Sequence, residues 1–142
     1  MNKKQSSIGE ICTYVRGVSF EGDEARINKS EGHLPILRAG NIGDYLDIQN
    51  DLIWVPTKRV AKEQYLQKND IVICMASGSP HIVGKTAQLH QDFKGSVGAF
   101  CGIVRVKNAD PHYINYWFNS HSFSEWRNLK ARGANIQNLR PT

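Results

Sequence analysis

Residues 68–89 read KNDIVICMASGSPHIVGKTAQL. The run Ile71–Met75 is apolar at every position, which makes IVICMAS the most strand-like segment of the chain. Gly78, Ser79 and Pro80 then force a loop, because glycine relaxes the backbone while proline fixes φ and removes a donor. HIVGKTAQL (81–89) predicts a return strand. The loop itself, SPHIVGKT at 79–86, is close to the phosphate-cradling pattern G-x-x-x-x-G-K-[ST]. That pattern needs a glycine to open a nest of backbone N–H groups. Here Ser79 stands at the first glycine position, Gly78 is one residue early, and Pro80 lacks an N–H where the nest requires one. No later apolar run ends in the Asp that would hold magnesium. A tight turn between two strands accounts for the segment better, and a P-loop-like nucleotide-binding protein is the alternative.

Outward from this segment, short apolar runs alternate with polar breaks. IGEICTYVRGVSF (8–20) reads as a strand or helical turn entering a loop, and EGDEARINKSEGH (21–33) as an exposed loop. LPILRAGNI (34–42) and DLIWVP (51–56) read as strands bounded by Pro, Gly and Asn, with a turn and a brief strand in GDYLDIQN between them. TKRVAKEQYLQKND (57–70) predicts a short helix with Val60, Ala61, Tyr65 and Leu66 on one side. Downstream, QDFKGS is a turn, and VGAFCGIVRV (97–106) is one long β run whose glycines imply a bend or bulge.

The last third is helical in pattern. Asp110 followed by Pro111 is a helix start, with Tyr113, Ile114, Trp117 and Phe118 on one apolar face. Ser122 and Glu125 form a capping-box pattern that opens a second helix through Phe123, Trp126 and Leu129 to a stop at Gly133. A mostly β body followed by a helical hairpin results.

Composition narrows the function classes. The 142 residues suffice for one domain with a real core, and 40% hydrophobic with 22% charged residues is the balance of a folded globular chain. No apolar run approaches bilayer length and the N-terminus has no secretory h-region, so a cytoplasmic location is expected. Cys12, Cys74 and Cys101 are an odd number at wide spacing, which suits reduced core thiols. The net charge is +5 with pI near 9.2. Residues 1–70 hold ten basic and ten acidic side chains, whereas 71–142 hold eight against three, so the whole excess lies in the second half. Such a basic half suits a polyanion.

Catalytic and metal sites fare poorly. There is no C-x-x-C or H-E-x-x-H, and His33, His81, His90, His112 and His121 show no ligand spacing around the cysteines. Cys101 lies in an apolar run that raises a thiol pKa, and the acids cluster in exposed loops. No enzyme activity, metal or cofactor is expected. What the predicted loops offer instead are groups suited to base edges and phosphates: Arg16, Arg38, Asn41, Ser77, Ser79, His81, Lys85, Lys94, Arg132, Asn135 and Gln137. Arg donates two bonds to guanine, Asn and Gln pair with adenine, and Lys and hydroxyls suit phosphates. Arg38, Asn41 and His81 are expected to read bases, Lys85 and Lys94 to hold phosphates.

The order of these features, from about Ile8 to Leu139, resembles the target recognition domains of type I restriction-modification specificity subunits. IGEIC leads to RGVSF (16–20), PILRAGNI (35–42) resembles the family's Arg-containing strand with its Asn-Ile ending, and residues 68–89 resemble its strand, Ser-Gly turn and Val-Gly return. VGAFCGIVRV is similar to the next core strand, and YINYWFNSHSFSEWRNLKARGANIQNL (113–139) to the helical pair and small-residue turn. The resemblance implies an α+β fold, a curved irregular β body with short helices and a C-terminal helical hairpin, forming one domain over 1–142 without a complete spacer helix. It also implies recognition of duplex DNA at one half of a bipartite site. Methyltransferase (modification) subunits would then methylate adenine and restriction subunits cut, with neither S-adenosylmethionine nor ATP bound by this chain. A general nucleic-acid-binding module is the second alternative.

Overall fold

The run IVIC is buried at all four positions and forms β4 (Ile71–Cys74). The computed structural model describes residues 8–121, 123–125, 137 and 138. β4 lies inside a four-stranded sheet with β1 (Cys12–Arg16), β6 (Thr86–Gln88) and β8 (Cys101–Val106), in the order β1-β8-β4-β6. Every pairing in it is antiparallel. Because side chains alternate across a strand, Ile71 and Ile73 point into one core, with Cys12, Met75, Val83, Val104, Ile114 and Phe118. Val72 and Cys74 point into the other, with Val15, Leu37, Ile42, Leu66, Leu89, Val97 and Ile103. An apolar run without alternation therefore records a sheet covered on both faces.

A second sheet covers one of those faces. β2 (His33–Leu37) pairs antiparallel with β3 (Ile53–Pro56) and parallel with β7 (Ser96–Val97). Pro35 is tolerated in β2 at a register position opposite Trp54. A third pairing joins β5 (Ala76–Ser77) to β9 (Gln137–Asn138). The N-terminal segment resolves into a helical turn, α1 (Ile8–Ile11), running straight into β1. The α+β class, the irregular β body and the short helices are as expected from the sequence.

Four local expectations are corrected. Residues 57–70 hold no α-helix but two 3₁₀ turns, Thr57–Arg59 and Lys62–Gln64. The Arg105 guanidinium captures the carbonyls of Glu63 (3.1 Å) and Tyr65 (2.9 Å), and Leu66 N–H donates to Gly95 O, so the i to i−4 ladder has neither acceptors nor donors to continue. GDYLDIQN forms no strand beyond an isolated bridge between Ile42 and Leu46. The return strand after β4 is confined to Thr86–Gln88, because 80–84 are turn residues ending at Gly84 with φ 89°. VGAFCGIVRV has the bend its glycines imply, but is divided by it and not one run. It bends at Gly98–Phe100, where Cys101 N–H donates to Gly98 O at 2.9 Å, and so places β7 in one sheet and β8 in another.

The helix start is where the sequence puts it. α2 spans Pro111–Phe118, and the Asp110 carboxylate accepts the His112 N–H at 2.9 Å. Its buried face is narrower than expected: Ile114 and Phe118 are buried, whereas Tyr113 is 66% exposed and Trp117 is marginal. A second helical turn includes His121 and residues 123–125. Ser120 caps it, its hydroxyl accepting the Phe123 N–H at 3.3 Å, so the helix opens two residues before the Ser122 start read from the sequence. Ser122, Trp126, Leu129 and Gly133 lie outside the described residues.

One polar pair ties these parts together. Asp70 is 2% exposed and meets Arg105 in a bidentate ion pair of 3.0 and 2.8 Å. Removing one partner of such a pair strands the other charge, at a cost of about 3–5 kcal/mol. Asp70→Ala is accordingly expected to destabilise the chain by about 3–5 kcal/mol in urea unfolding, with Arg105→Met in the same background adding far less than it costs alone. Additive costs would show the pair to be uncoupled.

Candidate functional site

Three chain segments meet at one end of the two sheets: residues 38–51 after β2, 76–86 after β4, and the 98–100 bend between β7 and β8. The first is shaped by Asn41, which is 3% exposed. Its side-chain oxygen accepts the Arg38 N–H at 2.9 Å, and its amide donates to Asp47 O at 3.0 Å and Asn50 O at 2.8 Å. Asp47 closes the far end of the loop, accepting Gln49 and Asn50 N–H at 3.0 Å each. Those backbone donors, helped by the Asn50 side chain, hold its carboxyl below the ordinary value.

The second segment is closed by its own backbone. Ile82 N–H donates to Ser79 O, Lys85 N–H to Ile82 O and Gly84 N–H to Cys74 O. These are the donors a phosphate nest would need, and no helix follows them. The P-loop alternative is therefore corrected: 79–86 are a hairpin connection.

Between the segments lies a cleft of about 940 Å³, lined among others by Phe20, Arg38, Asp51, Ser77, Gly78 and Phe100. The Arg38 side chain is exposed, and its guanidinium makes one long contact, 3.4 Å, to Asp51 O. The Ser77 hydroxyl accepts Ser79 N–H at 3.0 Å, which leaves its own O–H to donate. A smaller depression of about 280 Å³ adjoins the same two segments, with Gly43 and Asp44 from one and Lys85 and Thr86 from the other.

The structure thus groups some of the sequence-derived residues and separates others. Arg38, Asn41 and Ser77 line the cleft, and Lys85 lines the depression beside it. Asn41 is a correction: both ends of its amide are committed to the loop, so it shapes the site instead of offering itself to a base. Ser79 and His81 belong to the 76–86 segment without lining either hollow, and the Ser79 N–H is already engaged. Arg16 is exposed at the end of β1, where its carbonyl accepts from Gln64, and Lys94 is exposed in the turn before β7. Neither lines the cleft or the depression. β9 pairs Gln137 in register with Ser77, while Arg132 and Asn135 lie outside the described residues. Sequence reading missed Phe100, Gly78 and Asp51. The Gly98-Ala99 interruption was the available sign that Phe100 sits on a bend and not in a core strand.

Among the described residues no group of three His, Cys, Asp or Glu side chains assembles. Cys12, Cys74 and Cys101 are free and buried. The Cys101 thiol is held far above the ordinary range by its hydrogen bond with Cys74 and by burial, the opposite of an activated nucleophile. Among the described residues no helix is long and apolar enough to cross a membrane.

The chain matches no protein-family profile. It is 36% identical over 135 residues to the type I restriction enzyme StySPI specificity subunit of Salmonella potsdam, covering 94% of this chain and 29% of that protein. The EcoKI specificity subunit of Escherichia coli K12 is 35% identical over the same share. The chain is a homologue of the type I specificity subunits. It spans about three tenths of the length of these relatives. In fold it matches the HsdS subunit from Thermoanaerobacter tengcongensis, with TM-score 0.64 at 17% identity over 93% of this chain and 30% of that one. It also matches the type I S subunit from M. genitalium, with TM-score 0.58 at 17% identity over 95% and 30%. The hairpin, the bend and α2 therefore belong to a specificity-subunit fold.

Within that fold the two cleft residues read from 35–42 separate by role. Asn41→Ala is expected to cost about 1–3 kcal/mol, since it removes all three hydrogen bonds of a buried side chain and leaves the half-buried Arg38 N–H without its acceptor, whereas Arg38→Ala should stay within about 0.5 kcal/mol. Denaturant midpoints of the two variants check this, and equal stabilities would contradict the structural role of Asn41.

Proposed function

We propose that residues 1–142 form one target recognition domain that reads half of a bipartite duplex DNA site through the cleft face, and that the chain catalyses nothing itself. The observation that carries this reading is the 35–36% identity to named specificity subunits over 94% of the chain. The geometry supports it: two loops and a bend on a rigid double sheet present a nearly free guanidinium, a hydroxyl and an adjacent lysine, the groups that bond guanine, base edges and phosphates. Adenine methylation and cleavage belong on this reading to partner modification and restriction subunits, in the cytoplasm. A similar fold (TM-score 0.61, 16% identity, covering 93% of this chain and 31% of that one) in a structure on complex assembly of a type I R-M system agrees with that assignment.

The roles divide by chemistry. Lys85 and Lys94 neutralise phosphates, Arg38 and His81 face bases, and Ser77, Ser79, Gln137 and Arg16 contribute at the margins. Arg132 and Asn135 add, by their chemistry alone, a phosphate or guanine donor and an adenine partner.

A half-site reader draws much of its affinity from counterion release, so log affinity should fall with log salt by about 0.9 per phosphate engaged. Lys85→Ala or Lys94→Ala is expected to weaken binding to every duplex alike and to flatten that slope by roughly 1. Arg38→Ala or His81→Ala should cost about 1–3 kcal/mol on the preferred sequence and little on random DNA. Fluorescence anisotropy titrations across a salt series measure both. Equal losses on all sequences for all four variants would favour a general nucleic-acid-binding module.

A further inference from the structure

We propose that Phe100 is a specificity-determining residue of this domain, its ring packing against the 5-methyl group of one thymine in the major groove beside the base that Arg38 contacts. The inference rests on the DNA-reading assignment above and adds to it a residue and the group it recognises.

The observations concern position, exposure and rigidity. Phe100 is 72% exposed, although its neighbours in the chain toward either sheet, Val97 and Cys101, are fully buried. Phe100 is the turn residue immediately before β8, whose first residue, Cys101, is buried. An exposed benzyl group gives up the burial that normally stabilises a phenylalanine, so folding alone does not account for it. Nor does mobility. The bend is tied by Gly98 N–H to Leu37 O at 2.9 Å and Cys101 N–H to Gly98 O at 2.9 Å. The Phe100 carbonyl accepts from Met75 N–H at 2.8 Å and Ala76 N–H at 3.1 Å. The ring therefore stands on a fixed backbone at the cleft wall.

Its surroundings point to a base pair. A Cβ placed on Gly98 would come within 3.8 Å of Arg38 Cγ, so the stem of Arg38 lies over the same bend that carries Phe100. Gly78, which lines the same cleft, has open space where a side chain would stand. Of the large hydrophobic side chains exposed among the described residues, Phe100 alone lines the cleft; Ile27, Tyr45, Tyr113, Tyr116 and Trp117 do not. An apolar ring next to an arginine matches two adjacent features of the major groove: the thymine methyl, its one apolar group, and the paired acceptors of guanine.

The test replaces thymine by uracil, which removes that methyl and nothing else. A preferred duplex is first selected by the purified chain from a randomised pool at low salt, and each thymine is then replaced singly in wild type, Phe100→Ala and Phe100→Leu. One uracil position is expected to weaken wild type about fourfold, the worth of one buried methyl. Phe100→Ala should lose at least as much on the thymine duplex and show no further loss at that position, while Phe100→Leu keeps the discrimination. Circular dichroism and melting confirm that both variants fold. If the uracil scan of Phe100→Ala repeats that of wild type, the proposal is overturned and the DNA-reading assignment stands. If the pool yields no preferred sequence, both fall.

Discussion

The buried pair between Asp70 and Arg105 is the constraint on which the remaining architecture hangs. Asp70 stands at the entry to β4 and Arg105 near the end of β8, so the pair fixes these central strands in register. The same carboxylate accepts Gln67 N–H at 2.7 Å, and the remaining guanidinium donors hold the carbonyls of Glu63 and Tyr65. A charge buried this deeply persists only when its lone pairs and protons are answered in good geometry. Answering them pulls residues 62–66 against the sheet. From there Leu66 donates to Gly95 O and Gln64 O accepts the Ser96 hydroxyl, which seats β7 and with it the second sheet. The cleft exists because the two sheets are held at this spacing with the 98–100 bend between them.

How much of this was legible follows from which interactions are local. IVIC announced a strand because a short run of β-branched residues between turn signals is a local pattern, and the structure adds that it is covered on both faces. Asp110-Pro111 announced α2 because a helix N-terminus is set by its own first residues. The 57–70 segment misled because its amphipathic spacing was real while its carbonyls were claimed by Arg105, some 40 residues away in sequence. VGAFCGIVRV was legible in part: its glycines imply the bend, but β propensity is otherwise continuous through it, and its division between two sheets follows from packing, in which Gly17 lies against the bend. A side chain at Gly17 would run into the backbone of Gly98 and Cys101.

The candidate site shows the same division. Arg38, Ser77 and Lys85 were found because polar residues flanking strands fall into loops, and these loops converge. Asn41 was found for the wrong reason. An Asn in a turn is equally suited to a base edge or to its own backbone, and only the 3% exposure decides between them. Phe100 was passed over because an aromatic inside an apolar run reads as core. The resulting picture is of loops made rigid by internal hydrogen bonds on a packed double sheet, so that recognition elements are presented without a large ordering cost on binding.

The most direct test of this account is a backbone amide NMR titration of the ¹⁵N-labelled chain with its preferred duplex at low salt. The account predicts shift changes concentrated in residues 38–51, 76–86 and 98–100, with the 3₁₀ turns at Thr57–Arg59 and Lys62–Gln64, which line neither the cleft nor the depression, unmoved. Changes centred on those turns, or none at concentrations where DNA is bound, would contradict it.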